Sequence, residues 1–131
     1  MTVHLYSSGI VLMALALVHI IFPKKFNWKN ELSNLSLINR QMMQVHTFFI
    51  ALFVGLNGLL NILGAGLLND GPLAKLITGG LAIFWGCRLF FQFFVYSPRL
   101  WKGKTFETLV HVVFGAFWAY LTIMYTVLWM Q

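Results

Sequence analysis

The chain has 131 residues, 60% of them hydrophobic and only 9% charged, with a formal net charge of +6. A soluble domain carries about 25% charged side chains, so this sequence lacks the polar surface for a water-facing shell and takes lipid as its natural solvent. The cations form no stripe interleaved with aromatics; they sit mostly in two short connections between apolar runs, which argues against a nucleic-acid partner and for topology and anionic-lipid contact.

Four apolar segments each reach the roughly 20 residues that cross a hydrocarbon core. The first covers residues 4–22 and ends at Pro23. No basic stretch precedes it and Lys24-Lys25 follow it, so it is expected to stay in the protein rather than be cleaved as a signal. The stretch from Phe26 to Met43 is amphipathic and allows two accounts. Phe26, Trp28, Leu32 and Leu35 dip toward lipid at the interface, or Asn39-Arg40-Gln41 forms a lid.

The second segment covers 45–68, and the pattern also permits a helical extension back to Ser36. Asn69-Asp70-Gly71-Pro72 makes a tight turn, with Pro72 placed to open the next helix. The third covers 73–96 and stops at Ser97-Pro98. The fourth covers 105–130, with Thr105 as N-cap and Glu107 in the first turn. The expected fold class is all-α: one integral membrane four-helix bundle.

A faint repeat divides it into two hairpins. Val45-His46-Thr47-Phe48-Phe49-Ile50-Ala51 and Val110-His111-Val112-Val113-Phe114-Gly115-Ala116 share valine, histidine, phenylalanine and alanine in one register. Pro23-Lys24-Lys25-Phe26 and Pro98-Arg99-Leu100-Trp101 precede them. This arrangement fits parallel repeats about an axis along the membrane normal.

Cation placement sets the orientation. Lys24, Lys25, Lys29 and Arg40 mark the first connection, and Arg99, Lys102 and Lys104 the third. The loops 23–44 and 97–104 are therefore expected in the cytoplasm and both termini outside. Trp28 and Trp101 then anchor the inner interface, Tyr6 and Trp129 the outer one.

Topology puts His19, His46 and His111 at the cytoplasmic end and leaves His4 alone at the other. Helical phase gives His46, Phe53, Asn57, Asn61 and Gly64 one face, and His111, Trp118, Thr122, Tyr125 and Trp129 another. Interhelical hydrogen bonding is the ordinary account of Asn57, Asn61 and Thr122. Cys87 reads as a small packing residue.

Arg88 lies about 15 Å of helical rise from Pro98, at 1.5 Å per residue, a depth at which snorkelling is uncomfortable. Gln92 is one turn closer to the cytoplasm on the same face. A guanidinium so placed needs an anion or several acceptors. Glu107 and Glu31 are the internal candidates; otherwise the counter-charge comes from a ligand.

Three function classes fit these residues. His46 and His111 could ligate a haem b, with Arg88 and Gln92 at its propionates; with His19, the three imidazoles could instead hold zinc or copper. A quinone or an anionic lipid-like molecule could bind Arg88, Gln92, Asn39, Arg40 and Gln41, with histidine as hydrogen-bond partner or general base. No nucleophile elbow supports hydrolysis. The third class is an accessory subunit, or a homo-oligomer, docking through Gly55, Gly58, Gly64, Gly66 and Gly79-Gly80.

Overall fold

A computed structural model describes residues 1–131. The chain is all-α, without strands, and four of its helices are long and apolar enough to cross a membrane. It is a multi-pass membrane protein. Two compact units divide near Gly66, and each is one antiparallel pair of long helices.

In the first hairpin, α1 (Thr2–Val18) packs on a much longer partner. Pro23 was expected to end the first segment, but it distorts the helix instead. Proline lacks an N–H, and its ring crowds the carbonyl four residues back, which here belongs to His19. The chain tightens into a 3₁₀ turn over His19–Ile21, and α2 (Phe22–Lys25) follows with Pro23 in its first turn. Asn27 then adopts φ 50°, a left-handed conformation that asparagine tolerates better than most residues. That reversal opens the single turn α3 (Trp28–Glu31).

The next helix, α4 (Leu37–Leu63), takes up the extension back to Ser36. Asn39-Arg40-Gln41 belongs to the opening turns of this long helix. Leu32 is buried, while Phe26 and Leu35 are exposed. The far end falls at Leu63 rather than residue 68, because Gly64 and Gly66 withdraw the side-chain support that sustains a helix.

Two glycines fix the spacing of α1 and α4. A Cβ on Gly9 would lie 2.8 Å from the Gly58 carbonyl oxygen, and one on Gly58 would lie 2.8 Å from that of Gly9. Backbone meets backbone here. Beside this crossing Asn61 Nδ2 donates to Ser8 Oγ at 2.9 Å, and Ser8 in turn donates to the Leu5 carbonyl at 3.0 Å. The expected interhelical bond of Asn61 is therefore present within this hairpin.

The second hairpin opens on a turn whose geometry only glycine suits. Gly71 has φ 100°, and its N–H donates to Asp70 Oδ1 at 2.7 Å. Pro72 begins α5 (Pro72–Phe94) as expected, and α6 (Thr105–Met130) runs back along it. Thr105 is the first helical residue and not the N-cap, a position held by Lys104. No side chain caps this end; the Thr108 hydroxyl instead donates to the Trp101 carbonyl at 2.8 Å and ties the connection to the first turn.

Large residues meet small ones at one-heptad intervals along this pair. A Cβ on Gly79 would stand 3.0 Å from Trp129, one on Gly86 3.6 Å from Thr122, and one on Gly115 3.0 Å from Phe93. Such spacing is the knobs-into-holes signature of helices crossing at a shallow angle. Between these contacts Trp85 and Trp118 stack at 5.0 Å with their planes 12° apart.

Candidate functional site: a directed polar chain in the second hairpin

Arg88 projects along α5 toward the end of that helix. Its Nη1 donates to Gln92 Oε1 at 3.1 Å, and its guanidinium lies over the rings of Tyr96 at 5.5 Å and Trp118 at 5.1 Å. The contact with Tyr96, beyond the helix end at Phe94, carries the charge toward the connection. The side chain thus snorkels, contrary to the expectation from the position of its Cα alone, and it runs toward the negative end of the helix dipole. Glu107 is not among its partners within this hairpin, and both Glu107 and Glu31 are exposed.

The second amide atom of Gln92 crosses to α6, where Nε2 contacts His111 Nδ1 at 2.8 Å. Three groups therefore form a line whose direction can be deduced. Arginine has donors only, so it requires the oxygen of Gln92. That places the amide NH₂ against His111, whose Nδ1 must accept. The ring is then the neutral tautomer with its proton on Nε2. Arg88 gives to Gln92, Gln92 gives to His111, and His111 is left with a proton to give.

Aromatic rings hold this imidazole in place. Trp101 stacks on it at 3.7 Å with an 11° interplanar angle, and Phe93 meets it edge-on at 5.5 Å. The Thr108 bond to the Trp101 carbonyl ties that indole to the first turns of α6. Trp101 was read as an interface anchor, and its stacking role had no signal in composition. A tryptophan just ahead of a helix carrying a histidine near its start is the pattern that would have suggested it.

One more donor is nearby. Trp118, under the Arg88 guanidinium, is buried, yet its Nε1 has no hydrogen-bond partner. Buried polar atoms are rarely left unpaired. The cluster holds a surplus of donors and lacks acceptors.

The remaining expected residues lie elsewhere. His46 is exposed and has no counterpart of the Gln92 bond, although the repeat pairs it with His111. His19 sits in the first hairpin, its Nδ1 at 2.8 Å from the Leu15 carbonyl. His19, His46 and His111 were considered together as metal ligands. No group of three or more His, Cys, Asp or Glu side chains is gathered to hold a metal ion. Thr122, expected to bond between helices, donates instead to its own helix at the Trp118 carbonyl, 2.7 Å away. Of the glycines considered for docking, Gly58 and Gly79 are filled by internal packing, while Gly66 and Gly80 have open space. No family model, curated protein or solved structure matches this chain.

Proposed function

We propose that this protein binds, within the membrane, an amphiphile whose polar end presents oxygen acceptors, either an anionic lipid-like headgroup or a quinone carbonyl. The observation that carries this reading is the direction of the line from Arg88 through Gln92 to His111. A carboxylate, a phosphate or a carbonyl oxygen would meet the free guanidinium N–H groups and the imidazole Nε2–H. Haem or metal ligation by His111 has less support, because Nε2 must offer a lone pair to a metal and here carries the proton.

Arg88→Leu tests this proposal. In lipid nanodiscs the wild-type protein is expected to retain a long-chain carboxylate or a decyl-benzoquinone probe, and the variant to lose at least about tenfold in affinity, since hydrogen bonds to charged groups contribute about 1.5–3 kcal/mol. Arg88→Lys should restore binding only in part, as an ammonium lacks the guanidinium fork. Preference between the two probes identifies the headgroup. Equal binding by wild type and Arg88→Leu, or a Soret band that disappears in His111→Ala, would sink the proposal.

The same reading places both termini outside and the connections carrying Lys24, Lys25 and Lys29, and Arg99, Lys102 and Lys104, in the cytoplasm. In a variant with Cys87 replaced by serine, Ser97→Cys should resist an impermeant maleimide added to intact cells and react after permeabilisation. Labelling of intact cells at Ser97→Cys would reverse the orientation.

A further inference from the structure

The first hairpin carries its own recess, mostly apolar but with a histidine on its lining whose hydrogen-bond sense is the opposite of that of His111. The recess, of about 260 Å³, is lined by His19, Trp28, Gln44, Phe48 and Ala51 among others. It opens where Pro23 has tightened α1 into its 3₁₀ turn. His19 Nδ1 lies 2.8 Å from the Leu15 carbonyl. A carbonyl can only accept, so Nδ1 carries the proton and Nε2 of the neutral ring keeps its lone pair.

We infer that this recess binds the hydroxyl-bearing ring head of a membrane amphiphile of the quinol or phenol class, with His19 Nε2 accepting the hydroxyl hydrogen. Trp28 and Phe48 bring two aromatic side chains to the lining, suited to a flat ring, and Ala51 adds a small one. Thr47 also lines the recess, but its hydroxyl is committed to the Met43 carbonyl at 2.8 Å and does not compete. Gln44 has no partner in the hairpin and can bond a second ring substituent.

Size and charge narrow the class. The volume falls below the roughly 300–1,000 Å³ of pockets that enclose whole drug-sized ligands, so a ring head fits while its tail stays in lipid. An imidazole lone pair repels a carboxylate or phosphate oxygen and attracts a hydroxyl proton. A metal would need further ligands, and no such group is gathered around this ring.

The test uses full-length protein in nanodiscs with ¹⁵N-labelled histidine, and decyl-benzoquinol, decyl-benzoquinone and phosphatidylglycerol as probes. The quinol should move the His19 Nε2 resonance in the hydrogen-bonded direction, and neither the quinone nor the phospholipid should do so. Ala51→Phe, which fills the recess, and His19→Leu, which removes the acceptor, should each weaken quinol binding by about fivefold or more. Arg88→Leu should leave the His19 response intact, so failure at the His111 site and failure here are separable. A His19 resonance indifferent to the quinol, or shifted equally by the quinone or the phospholipid, would overturn the inference. Unchanged quinol affinity in Ala51→Phe would do the same.

Discussion

Gly58→Leu is expected to break the first hairpin while leaving the second intact. Even a single methyl at this position would lie 2.8 Å from the Gly9 carbonyl oxygen and 3.0 Å from the Met13 nitrogen. Both are backbone atoms, which cannot rotate aside as a side-chain tip can. Overpacking a core by a few methylenes costs typically about 1–3 kcal/mol, and a leucine forced between two backbones belongs at or above the upper end of that range. Lipid offers no hydrophobic penalty to hold separated helices together, so the close packing bears the association directly. Thermal unfolding in mild detergent, followed by a distance probe between α1 and α4, should show the pair separated at temperatures where wild type is paired. Gly80→Ala is the control, because nothing lies within 4 Å of its added carbon. Gly79→Ala should be milder than Gly58→Ala, since its neighbour is the half-exposed Trp129 side chain at 3.0 Å. A Gly58→Leu protein as stable as Gly80→Ala would mean the helices are not held at this crossing.

Gln92→Glu should reverse the tautomer of His111 and close the binding site. A carboxylate can accept from Arg88 and from the ring, but it has nothing to donate. His111 must then present its proton at Nδ1, and the lone pair moves to Nε2. Arg88 at the same time gains an internal counter-charge in place of an amide. Both changes remove donors from the ligand, and affinity for a carboxylate probe should fall by about tenfold or more, the weight of one charge-assisted bond. The ¹⁵N shifts of the ring nitrogens give the first readout and probe binding the second. Gln92→Leu separates the two effects: it frees the imidazole without neutralising the arginine. If Gln92→Glu keeps the wild-type ring shifts, the deduced direction of the chain is wrong.

The long apolar runs were legible because lipid imposes a length and a composition on any spanning helix, and all four appear where the sequence placed them. Their ends were less so. Gly64 and Pro23 changed boundaries through backbone effects that hydropathy averages away. The contact between Arg88 and Gln92 followed from one-turn spacing on a single helix, and the step across to His111 needed only the hairpin. Trp101 was missed because its role depends on how a short connection folds back, which no periodicity encodes. Arg88 was placed too deep because side-chain direction, rather than the position of its Cα, decides where the charge resides. The heptad matching of Gly79, Gly86 and Gly115 to their large partners was present in the residue numbers, but it is visible only once the antiparallel register is known.

Four threonines illustrate a different property. Thr47, Thr78, Thr122 and Thr126 all donate to the carbonyl four residues earlier on their own helices, at 2.7–2.8 Å. Each hydroxyl is therefore satisfied before any second helix arrives, so these four side chains add no orphaned polar group to an unpaired segment in hydrocarbon. The amides of Asn61 and Gln92 differ, for each reaches across its hairpin, to Ser8 and to His111. Threonine leaves insertion indifferent to pairing, and the amides reward the pairing once it occurs.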